Sequence, residues 1–292
     1  MRATFKQLLK GSGTPVLQAR DADCETILSA GNIWTSAHAR RIELRERGLD
    51  PGDYLCCAPR GSFQAIIDFV ACAIGGFIYA PVATGCFGSL RRELSDISVA
   101  CRASMMLCDE QGRLEYHSSR LPPSFAAILP EPGALLALPL AASADGPSFR
   151  VFTGDTVESG LDRLTRDLGT VCGATRLTWR CSHHDAGFVA DLLLGLCNRQ
   201  TIYLRGDGAS SAAQIVREAL ELEVDDLVLA PSSIEPFVMA AGRLCERELA
   251  ALARIRLHTG GEAISQRQRE MASALFGKVL VEPIAAALGP VN

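Results

Sequence analysis

The chain has 292 residues, 48% hydrophobic and 21% charged, with a net charge of −4 at pH 7 and a pI near 5.8. That is enough chain to bury one large core or two modest ones. The charge excludes a general nucleic-acid binder, since no interleaved arginine and aromatic patch appears, and the acidic excess is too mild to imply a basic partner.

The N-terminal stretch MRATFKQLLKGSG has no long apolar core and no cleavage-like site, so it does not read as a secretory signal. A membrane helix needs about 20 apolar residues. The longest candidate, Ala65 to Pro81, is broken by Asp68 and by Gly75-Gly76. The expectation is a cytoplasmic protein with neither a membrane nor a nucleic-acid partner. The 11 cysteines are odd in number and include no CxxC pair. They read as small buried hydrophobes in a reduced compartment, because zinc needs clustered ligands at set spacings and these are scattered along the chain. No metal site is expected.

In chain order, the turn Leu49-Asp-Pro-Gly-Asp53 leads into a short strand, LCCA (55–58). Ser62 can cap a helix whose Phe63, Ile66, Ile67, Val70 and Ile74 recur at helical spacing, and Gly75-Gly76 ends it. FIYAPV (77–82) is the next strand. A helix follows from about Ser89, with Leu90, Leu94, Ile97 and Cys101 on one face, and then a strand at MMLC (105–108). Residues 110–147 lose periodicity and are rich in proline, with LLALPL the one strand-like run among them. Beyond them the rhythm resumes, with strands at 149–153, 175–180, 201–205, 226–230, 254–258 and 278–282. Helices are expected at 186–197, 210–223, 234–246 and 265–276, with Ile215, Ala219 and Leu222 along one face of the second and Ser265 capping the last.

Short strands alternating with helices of ten or more residues predict an α/β fold with mainly parallel sheets flanked by helices. Two α/β subdomains are expected, 1–147 and 148–292. Ligands of such sheets bind beyond the carboxyl ends of the strands, so the loops there hold the candidate site. One of them, RVFTGDTVESG (Arg150 to Gly160), is a strand that breaks into small residues before a helix-like run.

The run from Glu25 to Val82 carries a Gly48-Leu-Asp-Pro-Gly-Asp53 turn, a buried strand, a helix ending at Gly-Gly and a strand ending in proline. LTWRCSHHDAGFVADLLLGLCNRQTIYL has a histidine after a strand, then a glycine-containing helix and a strand. LHTGGEAISQRQREMASALFGKVLVEP has a Gly-Gly loop, a capped helix and a strand. In this order, over about residues 15–290, the segments resemble the acyl-adenylate-forming superfamily: acyl- and aryl-CoA synthetases, luciferases and the adenylation domains of nonribosomal peptide synthetases. The resemblance implies the α/β body of that superfamily's large N-terminal domain.

The resemblance also places the superfamily's phosphate loop, Thr-Ser-Gly-Thr-Thr-Gly-x-Pro-Lys-Gly, on RVFTGDTVESG. Thr153, Gly154 and Thr156 match it. The lysine, the proline and one glycine have no counterpart, and Asp155 and Glu158 add negative charge. A phosphate loop works through free backbone N–H groups, permissive glycine geometry and a positive charge. Each carboxylate 4 Å from a phosphate oxygen opposes it by about 1 kcal/mol in water and more beside protein. The family's Tyr-Gly-x-Thr-Glu, whose Glu holds Mg²⁺, falls on Ile284-Ala-Ala-Ala-Leu288, which offers no side-chain oxygen. The sequence given stops at Asn292, where family members continue into a C-terminal lid domain with a catalytic lysine. The resemblance further implies a substrate pocket bordered by His183 or His184, Gly187, Gly260, Gly261, Glu262 and Ile284.

Blander readings stand beside these. His183 and His184 also fit a solvated pair ahead of a helix capped by Asp185, and Gly260-Gly261-Glu262 also fits a tight strand-to-helix turn. Ser182, His183 and Asp185 lie too near in sequence for a hydrolytic triad, and no G-x-S-x-G elbow exists.

The leading expectation is a degenerate adenylation-like protein that binds an acyl or aryl group, a carrier protein or a synthetase partner without ATP-dependent activation. No cofactor is expected, with ATP or AMP and Mg²⁺ admitted only if the altered loop binds them. The alternative is an active ligase or acyltransferase acting on a carboxylic acid or a pre-activated thioester, with Asp155 or Glu158 as base and His183 beside the substrate. Without a lid, the surface that normally faces it predicts a partner or a homo-oligomer.

Overall fold

A computed structural model describes residues 15–21, 24–58, 62–82, 84–96, 98–126, 132–139, 149–179, 188–205, 211–260 and 264–282. Strands β1 (Pro15–Asp21) and β2 (Cys24–Ser29) precede helix α1 (Ala30–Glu46), strand β3 (Tyr54–Cys57) and helix α2 (Ser62–Gly75). Strand β4 (Ile78–Pro81), helix α3 (Thr84–Asp96) and strands β5 (Val99–Ala100), β6 (Met105–Cys108), β7 (Leu114–His117) and β8 (Arg120–Leu121) follow. Then come helix α4 (Pro123–Ala126), strands β9 (Ala134–Pro139) and β10 (Phe149–Thr153), helix α5 (Gly154–Leu168) and strand β11 (Thr175–Trp179). A π-helical turn (Val189–Leu193) runs into α6 (Leu194–Cys197), β12 (Thr201–Arg205), α7 (Ala212–Glu221), β13 (Asp226–Leu229) and α8 (Pro231–Ala241). The last elements are α9 (Glu246–Leu252), β14 (Arg256–Gly260), α10 (Gln266–Leu275) and β15 (Lys278–Glu282).

The chain forms two compact units. Among the described residues the first draws on the stretch from 30 to 159 and the second on those within 15–29, 160–179 and 188–282. The first unit holds a six-stranded sheet in the order β10-β9-β4-β3-β6-β7, parallel through its centre and antiparallel at both edges. The second holds a seven-stranded sheet in the order β15-β14-β13-β11-β12-β1-β2, parallel except for the edge pair β1/β2. These are the mainly parallel α/β sheets that the alternating rhythm predicts.

In the first unit β3, β4 and β6 are buried along their whole lengths, which explains their continuous apolar runs. Helix α2 is buried on most of its circumference, from Ala65 and Ile66 through Phe69 to Ala73. Gly76, at φ 81°, stops it as expected. The Gly48–Asp53 turn has a mechanical reason. Gly48 and Gly52 sit at φ 102° and 95°, and the buried Asp53 carboxylate accepts the N–H of Asp50 (2.9 Å) and of Ser104 (2.7 Å). That second bond ties the turn to the entry of β6.

In the second unit the main core lies on one face of the sheet. Leu177, Leu227 and Leu257 meet Ile215, Ala219, Ile234 and Phe237 there. Helices α7 and α10 open with capping boxes, Ser211 with Gln214 and Ser265 with Gln268, the latter cap being the one expected. Several boundaries move. The helix expected over 234–246 is two helices, because Pro231 starts α8 early and the chain turns between Gly242 and Cys245. The strand expected over 254–258 runs two residues later. Among the described residues no helix is long and apolar enough to cross a membrane.

Candidate functional site

The expected phosphate loop does not take the form of a loop. β10 is the antiparallel edge strand beside β9, and the chain passes from Thr153 directly into α5. Gly154 N–H donates to the Gly133 carbonyl at 3.1 Å. Thr153 Oγ1 accepts the Thr156 N–H at 3.2 Å and lies 2.9 Å from Thr156 Oγ1, so Thr153 acts as an N-cap. Asp155 is exposed in the first turn and Arg166 stands in the last, each at the helix end that favours its charge. Val157, Leu161, Leu164 and Leu168 form the buried stripe. The local sequence therefore folds as an amphipathic helix from its second residue, and the 153–160 loop predicted from sequence is replaced by two helical turns.

A helix N-terminus attracts anions through unsatisfied N–H groups and a partial positive charge. Here the Thr153 hydroxyl has taken one of those N–H groups and Asp155 supplies a resident anion. The lysines of the chain are Lys6, Lys10 and Lys278, none of them near the junction in sequence.

The second unit carries the other expected edge. Trp179, Leu229 and Thr259 fall in one row across β11, β13 and β14, on the face toward α7 and α8 and at the carboxyl ends of the strands. Gly260 is the last residue of β14 and pairs with Glu282. Thr259 and Ser233, which lies in the first turn of α8, are buried, and their hydroxyls have no hydrogen-bond partner among the described residues. Sequence reasoning missed both. The signal available was a small hydroxyl residue just past a strand in an otherwise apolar context. His183, His184, Gly187, Gly261, Glu262 and Ile284 lie outside the described residues.

A third constellation sits toward the opposite ends of the same strands. Asp226 is fully buried and accepts from Gln200 Nε2 (2.6 Å), Arg256 Nε (2.7 Å) and the His258 ring, whose Nε2 lies at 2.8 Å. Burial alone would raise its pKa. The hydrogen bonds from His258 and Arg256 outweigh burial and hold the carboxyl well below its usual range. His258 is buried too, and burial pushes its pKa down to about 4 against the favourable pull of Asp226, so at neutral pH it is an uncharged donor to the carboxylate. Asp226 and Arg256 are the first residues of their strands, at the end where ligands of parallel sheets do not bind. This cluster reads as structural.

Two cysteines far apart in sequence meet in space. Cys57, Cys108 and Asp68 offer ligand atoms within 4.8 Å of one another, all buried.

The two sheets and their connections define an α/β protein of the kind that forms the large N-terminal domain of adenylate-forming enzymes. Solved structures give the class its particulars. The chain is similar to ATP-bound MatB from Rhodopseudomonas palustris (14% identity, TM-score 0.71, 97% of this chain and 60% of that one). It is similar to the fatty acid AMP ligase from Legionella pneumophila (11% identity, TM-score 0.66, 94% and 51%). It is also similar to the adenylation domain of a keto acid-selecting NRPS module bound to a keto acyl adenylate (14% identity, TM-score 0.66, 93% and 53%). The chain thus spans between half and three fifths of the length of these relatives, and at such identities the likeness establishes the fold. No family model matches the sequence, and no curated protein matches it.

Proposed function

We propose that this protein is an adenylation-type body that binds an acyl or aryl group, as a free carboxylate or as a carrier-protein thioester, without activating it by ATP. The observation that carries this reading is the β10–α5 junction. Thr153 caps a helix there, and Asp155 places a carboxylate where a glycine-rich loop and a lysine would hold phosphates in the resemblance drawn above. Backbone donors, positive charge and Mg²⁺ ligands are the means by which a protein stabilises charge on a transferring phosphoryl group. At the junction no lysine is present, the Gly154 and Thr156 N–H groups are already bonded and Asp155 adds negative charge, and Ile284 to Leu288 supply no side-chain oxygen for Mg²⁺. The carboxyl edge of the seven-stranded sheet retains buried hydroxyls at Ser233 and Thr259, which suit the polar end of a small, largely apolar ligand.

Calorimetry with a panel of carboxylic acids, with and without ATP·Mg²⁺, tests this together with ATP–pyrophosphate exchange. The expected result is acid binding independent of ATP and no exchange above background. Exchange that disappears on Asp155→Ala or His183→Ala would overturn the reading and establish an active ligase.

A further inference from the structure

We propose that Cys57, Cys108 and Asp68 form a binding site for a thiophilic divalent cation, with zinc as the ion tested. The site is built from the first unit alone and is independent of the ligand reading above. β3 and β6 are adjacent parallel strands in which Cys57 pairs directly with Cys108, so both thiols leave the sheet on one face. Helix α2 supplies the rest. Asp68 stands on it, and its carboxylate lies among the two buried thiols.

The geometry fits a tetrahedral ion. With Zn–S of about 2.3 Å and Zn–O of about 2.1 Å, neighbouring ligand atoms sit roughly 3.5–3.8 Å apart. The Cys57 thiol stands 3.8 Å from Asp68 Oδ2, and the three donors lie within 4.8 Å of one another. The carboxylate is already oriented. Asp68 Oδ1 accepts from Arg40 Nε (2.8 Å) and Gln64 Nε2 (3.1 Å), which turns Oδ2 toward the thiols. Arg40 Nη2 also donates to Cys108 Sγ at 3.2 Å. Donors of this kind, behind the ligands rather than among them, fix ligand orientation in protein metal sites.

The charges close as well. Two thiolates and one carboxylate match a dication together with the Arg40 guanidinium, which leaves no net charge in a buried volume. Binding forms two metal–sulfur bonds, and the two thiol protons leave to solvent. Without an ion the Cys57 thiol is protonated, since burial and then the neighbouring Cys108 and Asp68 push it well above its usual range.

The test uses the full chain, purified under reducing conditions, loaded with zinc and freed of excess by gel filtration. Metal analysis should give one zinc per chain, and cobalt substitution should give a thiolate-to-metal charge-transfer band. Cys57→Ser should weaken zinc binding at least about tenfold. A variant lacking the exposed Cys172 and Cys245 should keep it. A folded chain that leaves the column without zinc, a cobalt spectrum with no thiolate band, or zinc lost only with the exposed cysteines would each overturn the site. If Cys57→Ser fails to fold, the cobalt spectrum of the unaltered chain decides.

Discussion

Thr153 shows how one side chain settles what a segment becomes. In a phosphate loop its backbone would face a ligand, whereas here its hydroxyl closes the first turn of α5 on the Thr156 N–H. Caps of this kind are worth about 1 kcal/mol. Thr153→Ala is therefore expected to destabilise the protein by roughly that amount, and Thr153→Ser much less, in urea unfolding followed by circular dichroism. A Thr153→Ala protein as stable as the parent would remove the capping role and reopen the phosphate-loop reading. The residue's type was legible in the sequence, and so was the loss of lysine around it. What was not legible was that the helix starts at once, because Gly154 and Asp155 suit a loop and a first helical turn equally well.

At the scale of elements, α6 shows how a small residue sets a distance. A Cβ on Gly195 would stand 2.7 Å from Ile202 Cδ1 on β12 and 3.2 Å from the buried Arg176 side chain. Real side chains do not approach so closely, so any larger residue at 195 requires Ile202 to shift within a buried seam. Gly195→Val should overpack this seam and cost about 1–3 kcal/mol in unfolding free energy. A neutral result would mean that α6 sits further from β12. Helix α1 carries a different lesson. Its buried stripe is Ala30, Ile33, Ala37, Arg40 and Leu44, and an arginine with two alanines gives almost no hydropathy contrast. Periodicity alone did not find this helix. Helix α7 was legible because Ile215, Val216 and Ala219 contrast with charged neighbours.

The whole molecule is held by contacts distant in sequence, and the Asp226 cluster is where pH should reveal them. It joins the starts of β13 and β14 to Gln200, ahead of β12. His258 is neutral when folded, with its pKa pushed from 6.5 to about 4. Between those values the unfolded chain binds a proton that the folded chain does not, so stability falls as pH drops from 6.5 toward 4. Asp226, whose folded pKa is depressed, adds stability that is lost at still lower pH. Urea unfolding at stepped pH should show the first loss, and His258→Gln should flatten the curve between pH 6.5 and 4 relative to the parent. An unchanged slope in that variant would move the acid sensitivity to other groups.

The sequence by itself determined the rhythm of strands and helices, their α/β class, the Ser265 cap and the absence of a lysine around Thr153. Each of these is written in spacing or residue type over a few neighbouring positions. Only the tertiary structure decided that β1 and β2 join β12 in one sheet. The same holds for the meeting of Cys57 with Cys108 across paired strands under Asp68 and of Asp226 with His258 across 32 residues. Such meetings depend on strand order and on which face a helix covers, and both follow from how whole elements bury their apolar sides rather than from any local pattern.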